Sequence, residues 1–161
     1  LLDTALGGVE KRGMPLDAPL RETLLQVADL CASASDPWWV ISSAAVALHG
    51  AHVEDVRDVD VLMSVRDATE TLARIGSFHS GQGTDLFRSV IFGTWNGPPL
   101  PVEIFGGFEF AGDEGWTRVL PKSRKGIEIE GRTLFVPVAQ ELRAMLIGFG
   151  RPKDLARANL L

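Results

Sequence analysis

The stretch Val56-Arg57-Asp58-Val59-Asp60-Val61-Leu62-Met63 organises the rest of the chain. Its apolar residues alternate with acids, as in a short strand. Side chains on a strand point alternately to opposite faces, so Asp58 and Asp60 share one face and Val59 and Val61 take the other, the core side. Leu62 and Met63 continue the run inward. Aspartate is depleted in strands, and two carboxylates side by side repel each other and favour protonation unless a cation sits between them. A divalent metal resolves that conflict, and an all-oxygen ligand set suits Mg²⁺ (or Mn²⁺). A solvated strand face that carries two acids is the plain alternative.

Upstream, Trp38-Trp39-Val40-Ile41 reads as a buried strand. It breaks into Ser42-Ser43, and Ala44 to His49 forms a short helix stopped by Gly50. A strand that opens a helix through small residues exposes backbone N–H groups that phosphate oxygens can approach, and Ser42 and Ser43 add hydroxyl donors. A serine helix cap is the ordinary alternative. Further upstream, Leu20, Leu24, Val27, Ala28 and Cys31 mark a helix over 19–34, with Pro19 in its first turn.

Downstream, a helix is expected over Arg66 to Gly76, a turn at Gly81-Gln82-Gly83, and a strand over Leu86 to Trp95. Asn96-Gly97-Pro98-Pro99 is a strong turn signal, so the next strand, Leu100 to Phe105, should pair antiparallel with the one before it. That strand carries a lone acid, Glu103, between Val102 and Ile104. If it lies beside the Asp58–Asp60 strand, the three carboxylates converge. An exposed edge-strand acid is the alternative. Residues 106–123 read as irregular. Ile127 to Glu130 reads as an edge or half-exposed strand, and Thr133 to Val136 as a strand ended by Pro137. A helix follows from Val138 to Phe149, stopped by Gly150, and Pro152 opens a last helix, Lys153 to Leu161.

The chain therefore reads as α/β (α+β), a mixed and largely antiparallel sheet backed by helices. Residues 1–18 form a loose N-terminal arm and 19–161 a single domain. The length of 161 residues suits one core. No apolar run reaches membrane-spanning length. Leu1-Leu2-Asp3 lacks the pattern of a secretory signal, and a start at Leu reads as a missing or processed beginning. The single cysteine, Cys31, excludes an internal disulfide or a multi-cysteine zinc site and fits a cytoplasmic location. His49 and His52 lack the further ligands a zinc site needs. Net charge is −5, which disfavours long nucleic acid as a partner. The charge is uneven: residues 1–117 hold 7 Lys+Arg against 17 Asp+Glu, and residues 118–161 hold 9 against 4. Carboxylates and cations could thus occupy opposite walls of one cleft, with Lys153 the best cation for a phosphate.

Taken together, Ser42-Ser43, Asp58-Val59-Asp60 after fourteen intervening residues, and the later Glu103 resemble the nucleotidyltransferase superfamily with the polymerase-β-like fold. The chain is most similar to its small bacterial members, the minimal nucleotidyltransferases and abortive-infection toxins. Ala44-Val46-Leu48-His49-Gly50 and the tail Gly150-Arg151-Pro152-Lys153-Asp154-Leu155 resemble elements of those members. The resemblance spans roughly residues 37–161. It implies that Asp58, Asp60 and Glu103 are metal ligands and catalytic residues, and that Ser42, Ser43 and Lys153 bind the nucleotide. The implied reaction moves a nucleoside monophosphate from an NTP to a hydroxyl on a protein, an RNA end or a small molecule, releasing pyrophosphate. Four places depart from the pattern. Ser42 stands where the family carries Gly, Glu54 and Val56 stand where Arg and Thr are frequent, and Leu146 stands where many relatives carry Lys. A second reading follows from these departures: a non-catalytic module of the same fold, acting as half of a toxin–antitoxin pair, through a protein partner or as a homo-oligomer.

Overall fold

The computed structural model describes residues 9–11, 16–77, 79–80 and 83–161. Five helices lie among them: α1 (Ala18–Cys31), α2 (Ser42–Leu48), α3 (Val65–Arg74), α4 (Ala139–Phe149) and α5 (Pro152–Ala158). The main sheet contains β2 (Trp39–Ile41), β3 (Val59–Met63), β4 (His79–Ser80), β6 (Ile91–Trp95) and β7 (Val102–Gly106), in the spatial order β2-β3-β7-β6-β4. Strands β3 and β7 run parallel; every other pair in this sheet is antiparallel. Two three-stranded sheets flank it. One joins β1 (Val9–Lys11), β10 (Lys125–Ile129) and β11 (Arg132–Val136), and the other joins β5 (Phe87–Arg88), β8 (Glu109–Gly112) and β9 (Gly115–Arg118). The architecture is the mixed, mostly antiparallel α+β arrangement expected from the sequence.

The two faces of the main sheet have different work. Val59, Val61, Val102 and Ile104 are fully buried on one face. Helix α3 packs there, with Ala68 and Leu72 buried against the strands. The approach is close enough that a β-carbon at Gly106 would come within 2.7 Å of Ile91 and 3.0 Å of the Val65 backbone. Asp67, at the start of α3, is buried and accepts hydrogen bonds from the backbone N–H of Ser35 and Asp36, which ties the α1–β2 turn to this layer. The opposite face carries Asp60, Glu103 and Phe105 and forms the floor of a cleft closed by α2, α4 and α5.

Some expectations need correction. The strand expected over Leu86 to Trp95 is two strands in two sheets, because the chain turns at Ser89-Val90 between β5 and β6. Residues 106–123 are not irregular throughout: β8 and β9 form a hairpin closed by Asp113-Glu114, with Gly115 at φ +96°. The strand at Ile127 is the centre of its sheet, flanked by β1 and β11, with Ile127 and Ile129 buried. Residues 1–8 and 12–15 of the expected arm, and Gly81-Gln82 of the expected turn, lie outside the described residues.

Candidate active site

Strands β3 and β7 pair parallel with Asp60 directly opposite Glu103. Residues opposite one another on neighbouring strands project to the same face, so this register brings the two carboxylates together. Asp58 lies just before β3. One carboxylate oxygen from each of Asp58, Asp60 and Glu103 falls within 4.8 Å of the other two. The convergence expected of the lone acid at 103 is therefore present.

Three carboxylates at this separation are electrostatically costly. Burial, reinforced by the charges of Asp58 and Glu103, pushes Asp60 well above the ordinary carboxylate range, against the opposing effect of the Ser42 hydroxyl. Glu103 is also raised, first by burial and then by Asp58, while Asp60 and Lys153 pull it down. Both shifts express the cost of ionising carboxyls that are buried beside one another. Asp60 Oδ1 is buried without a hydrogen-bond partner among the described residues. An all-oxygen donor set, a buried oxygen with nothing to bind and carboxylates held against their own repulsion together fit a hard divalent cation.

The serine turn borders this cluster. Ser42 and Ser43 begin α2 immediately after β2, which pairs with β3 so that Ile41 lies opposite Asp60. Both serines are largely buried and line the cleft. Ser42 adopts φ +61°, the left-handed region that L-residues avoid and glycine tolerates. The place where the resembling family carries Gly thus has the backbone conformation that glycine favours.

The cleft has a volume of about 490 Å³. Lys153 lines it from α5 and acts electrostatically on Glu103. All six residues singled out in the sequence therefore border one space. Sequence reasoning missed four cations that also line it: Arg57, Arg88, Arg151 and Arg157. Arg157 is four residues beyond Lys153 on α5, a spacing that puts both on one helix face and that the sequence displays. Arg151 makes a bidentate pair with buried Asp154, at 2.6 and 3.0 Å, and its guanidinium lies 4.8 Å from the Phe87 ring centroid. Arg88 reaches Glu109 at 2.7 Å, and Arg57 reaches Asp55 at 2.9 Å. The family's Lys place, Leu146, is fully buried in the core and cannot present a cation to the cleft. His49 hydrogen-bonds through Nε2 to the Pro137 carbonyl at 2.8 Å, a structural tie between α2 and the start of α4.

No protein-family model and no curated protein matches the chain. Solved structures do. A crystal structure from Thermotoga maritima, assigned as a nucleotidyltransferase, superposes with a TM-score of 0.70 at 22% identity, covering 84% of this chain and 88% of that one. The lincomycin-bound lincosamide antibiotic adenylyltransferase matches with a TM-score of 0.52 at 14% identity, over 84% of this chain and 94% of that one. An antigenic nucleotidyltransferase-like protein from Paracoccidioides brasiliensis matches with a TM-score of 0.50 at 15% identity, over 91% and 75%. The shared feature is the fold: this chain has a nucleotidyltransferase-like fold.

Proposed function

We propose that the protein is a metal-dependent nucleotidyltransferase that moves a nucleoside monophosphate from an NTP to a hydroxyl acceptor and releases pyrophosphate. The observation that carries this reading is the meeting of Asp58, Asp60 and Glu103 within 4.8 Å beside the Ser42-Ser43 turn. The fold it shares with the solved structures supports the reading.

Asp58, Asp60 and Glu103 would hold Mg²⁺ or Mn²⁺, which when bound offsets triphosphate charge and lowers the cost of ionising the acceptor hydroxyl. Ser42 and Ser43 offer hydroxyl donors to the phosphates at one side of the triad. Lys153, with Arg157 behind it on α5, supplies positive charge where negative charge builds on the departing pyrophosphate. The acceptor oxygen forms its bond to the α-phosphorus as the bond from that phosphorus to the bridging oxygen breaks, and the acceptor proton passes to water or to a triad carboxylate. The chain contributes position and charge and forms no covalent intermediate. No helix among the described residues is long and apolar enough to cross a membrane.

Ser42 at φ +61° in the glycine place, and a buried Leu146 in the lysine place, favour a second reading. In it the chain is a binding or regulatory module of the same fold, one half of a toxin–antitoxin pair.

A transfer assay separates the two. Protein, Mn²⁺ and each α-labelled NTP are incubated with a cell lysate, and pyrophosphate release is followed alongside label transfer. Metal-dependent release by the wild type that is lost in Asp60→Asn supports the enzyme. No release with any NTP, at any Mg²⁺ or Mn²⁺ concentration, overturns it in favour of the module.

A further inference from the structure

We propose that the acceptor is a small molecule that joins a hydroxyl to an apolar, ring-sized body, and that Phe87, Phe92 and Phe105 form the floor on which that body lies; this rests on the nucleotidyltransferase reading above. On β7, Glu103 and Phe105 are two residues apart, so their side chains share a face at a step of about 7 Å. Phe92 on β6 lies directly opposite Phe105 across the antiparallel pair, with ring centroids 5.1 Å apart. Phe108 links this pair to Phe87, at 5.0 Å from Phe105 and 5.5 Å from Phe87. Phe108 itself is buried, whereas Phe87, Phe92 and Phe105 are only half-buried and all three line the cleft. The face that carries the carboxylates thus passes directly into an aromatic surface.

The order across the sheet decides which substrate uses that surface. The Ser42-Ser43 turn follows β2, the acids sit on β7 and on or just before β3, and the aromatic floor occupies β7 and β6, joined by Phe87 from β5 of the neighbouring sheet. In-line displacement puts the attacking hydroxyl and the departing pyrophosphate on opposite sides of the phosphorus. With the phosphates at the serine side, the acceptor approaches from the aromatic side. Arg151 lies over Phe87, 4.8 Å from its ring centroid, so Phe92 and Phe105 are the main apolar part of the floor. Polar acceptors gain little from these two rings, while burying an apolar body there contributes the usual hydrophobic term. An RNA end fits the charges poorly, since binding a phosphate backbone draws on several unpaired cations. At this cleft Arg57, Arg88 and Arg151 are already paired with Asp55, Glu109 and Asp154.

Protein labelled with ¹³C at the phenylalanine Cζ gives eight ring signals to follow, and three probes are titrated in the presence of Mg²⁺ and a non-hydrolysable ATP analogue: 2-phenylethanol, glycerol and a short ribo-oligonucleotide. The expected result is that 2-phenylethanol moves the Phe87, Phe92 and Phe105 signals with the analogue still bound, and that glycerol and the oligonucleotide leave them in place. Among the described residues the Phe92 ring meets only that of Phe105, and Phe92→Ser should weaken 2-phenylethanol at least fivefold and keep analogue affinity within twofold. Three results overturn the proposal: no movement of these signals by 2-phenylethanol, mutual exclusion of 2-phenylethanol and the analogue (which gives the floor to the nucleobase), or preferential binding of the oligonucleotide. Failure of the analogue itself to bind counts against the nucleotidyltransferase reading, and so is distinct from failure of 2-phenylethanol alone.

Discussion

Asp60 and Glu103, forty-three residues apart in sequence, stand opposite one another on the parallel strands β3 and β7, and both are raised in pKa by burial and by Asp58. Their proximity is a cost when no cation neutralises it. Each retains protons in the folded state at pH values where the unfolded chain has released them. Folding stability from this pair is therefore present at low pH and lost as pH rises through the raised folded values. The expected outcome is that Asp60→Asn reduces the loss of Tm that the metal-free wild type shows as pH rises through the raised folded values, and that the wild type's Tm gain on adding Mg²⁺ grows with pH. Calorimetry in two buffers of different ionisation heat should also detect protons released on metal binding.

Asp60→Asn removes the charge that burial penalises most. Without metal the variant should be more stable than the wild type at alkaline pH, because asparagine carries no charge to be desolvated or repelled by Asp58 and Glu103. The Tm gain on adding Mg²⁺ should be lost. Thermal denaturation with and without metal reads both effects.

Ser42 holds a left-handed backbone at φ +61°, at a cost of about 1 kcal/mol for a residue with a β-carbon. Ser42→Gly should recover part of this and raise Tm slightly. If the hydroxyl meets a phosphate, the same variant should lose NTP affinity by a fewfold while becoming more stable. Parallel denaturation and NTP titration check whether stability and binding move in opposite directions.

The side chain of Asp154 is fully buried in its bidentate pair with Arg151 and also accepts from the Arg151 backbone N–H at 3.2 Å. Asp154→Ala leaves the guanidinium without its partner and unfastens the start of α5, which carries Lys153 and Arg157. Arg151 is partly exposed, so the expected loss is about 2–3 kcal/mol rather than the full cost of a deeply buried pair. NTP affinity should fall with it. Lys153→Met, on an exposed side chain, should leave stability nearly unchanged and weaken NTP binding by about fivefold, near 1 kcal/mol. Urea denaturation beside NTP titration distinguishes the two variants.

Much of this site is legible in the sequence because strand periodicity is local. Val59, Asp60 and Val61 announce two faces without any knowledge of neighbours, and the Asn96–Pro99 turn announces that β6 and β7 pair. What lay beyond reach depends on contacts between distant segments. The turn at Ser89-Val90 that sends β5 into another sheet has no breaker residue to mark it. Strand β10 looks half-exposed because Glu128 interrupts its apolar run, yet β1, more than a hundred residues earlier, covers its edge. The aromatic floor draws Phe87, Phe92 and Phe105 from three strands, and no window of sequence contains the pattern. Leu146 looks like a missing cation in one dimension; in three it is core.

The account turns on whether three carboxylates and a serine turn together hold a metal–nucleotide complex. Isothermal titration of each NTP into the protein, with and without Mn²⁺, tests it most directly. It is run on the wild type and on Asp58→Ala with Asp60→Ala, with folding of the variant checked by circular dichroism. The account predicts metal-dependent binding of at least one NTP by the wild type and none by the folded variant. Equal binding by both proteins, or no binding by the wild type at any Mn²⁺ concentration, would contradict it.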